Sequence, residues 1–247
     1  MTPPLFFAEL STATPGAPVA VTGDEGRHAA DVRRLRPGEH VDLTDGAGTL
    51  AHGQVGEVRR GELTVVIAER EVVPAPSPRL VVAQALARGG RDEQAVESMT
   101  EVGVDEVVGW AAARCVARWS DRTALRWAAT SRSAAKQSRR AWWPLIDGPA
   151  TTESLAQRCA RAGRAFVLHE SAAEPLATQR IDGVTDVLVV VGPEGGITEE
   201  ELAVLTGAGA TAVRLGPGIL RSSTAGTAAL AVICAMTRWR MGPDVAH

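Results

Sequence analysis

The sequence predicts an α/β protein in two parts: a small all-β part, then a larger part built on a buried, mostly parallel sheet. Three observations predict it. Pro74-Ala75-Pro76-Ser77-Pro78 places three prolines in five residues, which sustains neither a helix nor a central strand. Before this stretch, short β-like runs alternate with turn residues. After it, apolar strand-like runs alternate with helical patterns, as βα units require.

The elements follow in order. His40 to Thr44, Ala51 to Val58 and Leu63 to Ala68 read as strands, with Asp45-Gly46 as the hairpin turn between the first two. Residues 1–73 therefore read as a small β-barrel or sandwich, 74–78 as a linker and 79–247 as the α/β part. Leu80 to Leu86 is the first strand of that part. Asp92 to Val102 is a helix stopped by Gly103. Glu106 to Trp110 is a strand, Asp121 to Arg139 a long basic helix and Ser154 to Ala162 a further helix. Ala165 to His169 and Asp186 to Val191 are strands, and Thr198 to Leu205 a helix opened by a capping box of Thr198 and Glu201. Ala212 to Leu215 is a strand, and the final helix runs from Ser222 to about Arg240.

Composition narrows the class. Of 247 residues, 45% are hydrophobic and 22% charged, an ordinary globular balance. The net charge of −3 gives no global basic field, so any contact with a polyanion must come from local patches. Lys136 is the one lysine; the other basic residues are arginine, which suits phosphate forks. Cys115, Cys159 and Cys234 are odd in number and lack metal-type spacing, so reduced thiols, no metal site and a cytoplasmic location are expected. The N-terminal apolar run is too short for a signal peptide. The run from Ala228 to Met236 is far too short for a membrane span.

Two glycine-bearing segments carry the chemistry. Val189 to Thr198 and Val213 to Gly226 each read as strand, tight turn, helix start, and are expected to form two walls of one pocket. Gly192, Gly195 and Gly196 leave the main chain open to close approach. Taken alone, these glycines are equally well explained as turn-formers. No Gly-Lys-Ser/Thr follows, and Gly-x-Gly-x-x-Gly is absent from the first turn, which removes the nucleotide triphosphate and NAD readings. The last helix is apolar almost all round, and periodicity leaves open whether a deep core or a second subunit covers it.

Together the two segments resemble the SPOUT methyltransferases, and within them the ribosomal small-subunit methyltransferase E family. The family's Gly-Pro-Glu-Gly-Gly stands at 192–196, and its Leu-Gly-x-x-Ile-Leu-Arg-x-x-Thr-Ala matches Leu215, Gly216, Ile219, Leu220, Arg221, Thr224 and Ala225. Weaker matches are spread along the chain, at Gly26-Arg27-His28, Leu35-Arg36-Pro37-Gly38, Thr100 to Val104, Gln137-Ser138 with Arg140, and Leu168-His169-Glu170. The resemblance implies a PUA-like β-barrel followed by a SPOUT domain, with a trefoil knot over about 186–240. It also implies a homodimer, S-adenosylmethionine as cofactor, and methylation of N3 of a uridine in 16S rRNA of the small ribosomal subunit.

On that resemblance the cofactor is expected at Leu168, His169, Gly192, Pro193, Glu194, Gly195, Gly196, Leu215, Gly216, Ile219, Leu220, Thr224 and Ala225. Glu194 has a second reading, as a cap of the helix that starts at 198. Arg221 is the expected catalytic residue, a cation that stabilises the uridinate formed when N3 loses its proton. His169 is a weaker candidate for the proton transfer. RNA contact is expected at Arg27, His28, Arg33, Arg36 and Arg140, with the basic row from Arg114 to Arg140 as a second patch. The tryptophans near that row read as core. The chain departs from the family at Ser98, Gly218 and Ser223, where Lys, Arg and Glu are often found. Ser223 therefore withholds a carboxylate from the site. Two other readings remain: a SPOUT enzyme acting on another atom, such as a ribose 2′-hydroxyl, and a non-catalytic rRNA-binding assembly factor.

Overall fold

The structure is a computed structural model that describes residues 2–87 and 89–240. The chain divides into two compact units. One comprises residues 2–75 with 135–143; the other comprises the remaining described residues.

In the first unit, β1 (Leu5–Phe7), β2 (Pro18–Val21), β3 (His40–Thr44), β4 (Thr49–Arg59) and β5 (Glu62–Val72) form one sheet in the order β1-β3-β4-β5-β2. β1 runs parallel to β3 and the other pairings are antiparallel. Alternate residues of β5 (Leu63, Val65, Ile67) are buried with Phe6, Leu10 and Leu43, the period-two pattern of a half-buried strand. Asp45 makes the β3–β4 turn by accepting the N–H groups of Ala47 and Thr49. Between β2 and β3 lie α1 (Gly23–Arg27) and a π-helical turn at His28–Val32, which the sequence reading did not anticipate.

Residues 135–143 join this unit through named bonds. Lys136 Nζ donates to Glu25 at 2.7 Å, Arg139 pairs with Asp42, and Trp142 Nε1 donates to the Val73 carbonyl at 2.9 Å.

The second unit holds β6 (Arg79–Ala85), α2 (Arg91–Val102), β7 (Glu106–Trp110), most of α3 (Asp121–Gln137), β8 (Leu145–Ala150) and α4 (Thr152–Arg161). It continues with β9 (Arg164–Leu168), β10 (Asp186–Val191), α5 (Glu199–Gly207), β11 (Thr211–Val213) and α6 (Ser222–Met236). Its six strands are all parallel, in the order β11-β9-β10-β6-β7-β8. Residues of α2, α3 and α6 cover one face, with Met99, Trp127, Leu230 and Ile233 in that layer. Leu155 and Cys159 of α4 and Leu205 of α5 cover the other. β10 sits between β9 and β6 and is buried from Val187 to Val191, which explains its unbroken apolar sequence. The edge strand β8 contains Gly148 and Pro149 and was not expected; an edge tolerates the missing N–H.

The final helix is shorter than expected. It ends at Met236, and a 3₁₀ turn covers Arg238–Arg240.

Candidate active site

The site lies at the carboxyl ends of β9, β10 and β11. The register sets Val191, the last residue of β10, beside Gln84 of β6. From there the first loop turns through Gly192 to Ile197, and Thr198 starts α5. The Thr198 hydroxyl accepts the Glu201 N–H at 3.1 Å, and the Glu201 carboxylate accepts the Thr198 N–H at 3.0 Å. The second loop leaves β11 and ends at Arg221, whose carbonyl accepts the N–H groups of Thr224 and Ala225 and opens α6.

These loops enclose a cavity of about 490 Å³. Leu168, His169, Gly192, Pro193, Glu194, Gly195, Gly196, Leu215, Gly216, Ile219, Leu220, Arg221 and Ala225 all line it. Thr224 does not: it lies in the first turn of α6, exposed, and its N–H donates to the Arg221 carbonyl at 2.8 Å. Ile219 and Leu220 are exposed apolar side chains on the cavity wall, Ile219 at 82%.

The glycines of the first loop make room mainly for protein. A Cβ at Gly192 would stand 2.6 Å from Ile197 Cγ1, and one at Gly195 would stand 3.1 Å from Arg114 Cβ. At Gly216 and Gly218 a Cβ would meet nothing within 4 Å, so the second loop faces open space.

Glu194 does not cap α5. Thr198 and Glu201 do so, and Glu194 lies 3.7 Å from Arg91 in an exposed ion pair. His169 accepts the Ser171 N–H on Nδ1 at 3.3 Å. With Nδ1 accepting, Nε2 is the donor nitrogen of the neutral ring. The Arg221 guanidinium makes no ion pair among the described residues.

Three contributors to the site were missed in the sequence. Arg114 lines the cavity from the loop after β7. It had been placed only in a basic row, and nothing in its local sequence points to a site some 80 residues away. Gln84 is fully buried and donates to Ser222 Oγ at 2.9 Å. A lone amide in the apolar run Leu80 to Leu86 was the available signal for it. Ser222 was read only as a helix start.

The expected RNA-contact residues Arg27, His28, Arg33, Arg36 and Arg140 all fall in the first unit. The first four are exposed; Arg27 pairs with Asp24. The second basic row is partly engaged within the protein: Arg126 pairs with Glu93 at 3.1 Å, and Lys136 and Arg139 are held as described above. Trp127 is fully buried and takes Trp119 edge-on at 5.2 Å, whereas Trp142 and Trp143 are half-buried in the first unit. Among the described residues no cluster of three or more His, Cys, Asp or Glu could hold a metal ion.

Residues 74–234 match the RNA methyltransferase domain family, and residues 21–68 the RNA methyltransferase PUA domain family. Ribosomal RNA small subunit methyltransferase E of Bacillus subtilis is 27% identical, over 90% of this chain and 92% of that one. The crystal structure of a ribosomal RNA small subunit methyltransferase E from Neisseria gonorrhoeae bound to S-adenosylmethionine aligns with a TM-score of 0.87 at 25% identity. That alignment covers 95% of this chain and 98% of that one. The protein of the same name in Mycobacterium bovis is 46% identical, over 95% of this chain and 93% of that one. With these matches running nearly end to end, the chain belongs to the ribosomal RNA small subunit methyltransferase E family.

Proposed function

We propose that this protein transfers a methyl group from S-adenosylmethionine to N3 of a uridine in the 16S rRNA of the small ribosomal subunit. The observation that carries the reading is the convergence of the two glycine loops and the Arg221 guanidinium on one cavity. The residues present suit the cofactor. The volume of about 490 Å³ lies within the range of small-molecule sites, roughly 300–1,000 Å³. The walls combine backbone polar groups of 192–196 with the apolar side chains of Leu215, Ile219 and Leu220, a setting for a purine ring edge and face. When bound, the cofactor supplies an activated methyl group on a sulfonium.

The chain's own residues then hold and orient. The loops fix the nucleotide against the methyl carbon, so the reaction proceeds from a positioned pair. Arg221 stabilises the negative charge left on the uracil ring when the N3 proton departs to water. His169 offers Nε2 as a donor to the substrate, and Ser223 brings no carboxylate of its own to the start of α6.

The same reading makes the five-stranded sheet part of a PUA-like barrel that presents Arg27, His28, Arg33, Arg36 and Arg140 to RNA. It makes the segment of about 186–240 a trefoil knot, in keeping with the return of α6 from β11 to pack near β10 and β6. It also makes α6 a homodimer face: Thr227, Ala228, Ala231 and Val232 are half-exposed on a helix with no charged side chain. A cytoplasmic location accords with this substrate, and no described helix is long and apolar enough to cross a membrane.

Mass spectrometry of 16S rRNA nucleosides from a deletion strain tests the activity: N3-methyluridine should vanish and return on complementation. Its persistence would sink the reading. Sedimentation at micromolar concentration should show a dimer.

A further inference from the structure

One wall of the cavity comes from outside the C-terminal segments. Arg114, on the loop after β7, lies along the first loop and donates from Nη1 to the Gly195 carbonyl at 3.0 Å. The missing Cβ at 195 permits this, since it would stand 3.1 Å from Arg114 Cβ.

Glu201 holds that loop in place. Its side chain is buried, the residue being only 5% exposed. One carboxylate oxygen closes the cap of α5. The other accepts the Ala113 N–H at 2.7 Å and the Thr152 hydroxyl at 3.3 Å, and Thr152 in turn accepts the Trp110 indole N–H at 3.3 Å. A buried carboxylate requires such donors. Here one of them is the peptide N–H immediately before Arg114, so a single carboxylate sets both the first loop and the backbone that carries the arginine.

We propose that Arg114 is an anion-binding residue of the methyl-transfer pocket and that Glu201 is the positioning residue that aims it; this rests on the methyltransferase reading of that pocket. A guanidinium offers five N–H donors in a fixed fork. Among the described residues only the bond to Gly195 is made, which leaves the fork exposed on the cavity wall. Two anions reach such a pocket: a phosphate of the RNA strand, and the carboxylate on the cofactor's amino-acid arm. Both present paired oxygens that match the fork.

Two binding measurements distinguish the sources. Calorimetry with S-adenosylmethionine alone reads the carboxylate. Filter retention of unmethylated small ribosomal subunits at several salt concentrations reads the phosphate. Arg114→Ala should weaken one of them about tenfold, the scale of a lost hydrogen bond to a charged group. If that arm is the subunit, the salt dependence should also become shallower. Arg114→Lys should restore part of the loss. Glu201→Gln should weaken the same arm, and should add little in the Arg114→Ala background, since both changes act through one contact.

The proposal is overturned if Arg114→Ala leaves both affinities unchanged, if both fall and Lys restores neither, or if the Glu201→Gln effect adds in full. Wild-type protein that binds neither probe would instead overturn the methyltransferase reading, and this inference with it.

Discussion

The Ser222 hydroxyl donates to the Gly192 carbonyl at 2.8 Å, joining the start of α6 to the first loop across 30 residues of sequence. The direction of this bond is fixed from behind. Gln84 Nε2 donates to Ser222 Oγ at 2.9 Å and to the Ala85 carbonyl at 3.1 Å, so the hydroxyl proton must point at Gly192. Gln84 Oε1 is buried without a hydrogen-bond partner among the described residues, on the side of Gly226. The chain Gln84–Ser222–Gly192 thus sets the separation of the two glycine loops that line the cavity from the centre of the sheet.

Ser222→Ala should therefore cost more than one surface hydroxyl. It strands a buried amide N–H and a carbonyl, worth about 1–3 kcal/mol in stability. Urea denaturation should show that loss, and calorimetry should show weaker binding of S-adenosylmethionine. Ser222→Thr keeps the hydroxyl and should behave nearly as wild type. Unchanged cofactor affinity in Ser222→Ala would mean that the loops hold their spacing without this bond.

Arg221→Ala should separate chemistry from cofactor binding. Arg221 lines the cavity and makes no ion pair among the described residues, while its backbone already serves α6. Removing the side chain leaves that backbone role intact. A donor aimed at developing negative charge is typically worth about 10²–10³ in rate. Single-turnover methyl transfer should fall by that order with cofactor affinity little changed. Full turnover in this variant would remove Arg221 from the chemistry.

Gly195→Val tests the packing of the first loop. The new Cβ would approach Arg114 Cβ to 3.1 Å, and its methyl groups would press further on the Arg114 carbonyl and Cδ. Overpacking of this kind costs about 1–3 kcal/mol, relieved here by displacing the 111–115 loop. The variant should fold and lose cofactor affinity. Retained affinity would show that the loop yields without disturbing the pocket.

Much of this site was legible because its signals are local. The unbroken apolar run of β10 needs no partner to announce burial on both faces, and Thr198 with Glu201 states the start of α5 within four residues. The two loops were legible as strand-turn-helix corners, and their residues together carried the family resemblance. What escaped depends on distant partners. β8 hid behind Gly148-Pro149, whose propensities argue against a strand and are tolerated only because β8 is an edge. The end of α3 and the residues just after it look like more of a basic row, yet Glu25 and Asp42, some 100 residues away, engage Lys136 and Arg139. The capping box gave no hint that Glu201 also accepts the Ala113 N–H.

Stability at alkaline pH gives a test of the core that is independent of activity. Burial pushes the Cys159 thiol from 9.0 up to about 11, and burial also raises Cys115. The folded state thus holds these protons more tightly than the unfolded chain. Between pH 9 and 11 the unfolded chain ionises first, so the stabilising preference for the neutral thiol is full below about pH 9 and is lost as pH rises toward 11. The window is unusually clear, because the chain has no tyrosine and Lys136 is its one lysine. Thermal melts should fall steadily from pH 9 to 11, and Cys159→Ala should flatten that slope while lowering the melting temperature at pH 7 through the small cavity it leaves beside Leu155 and Leu205. An equal slope in the variant would show that Cys159 keeps an ordinary thiol pKa despite its place on the buried face of α4.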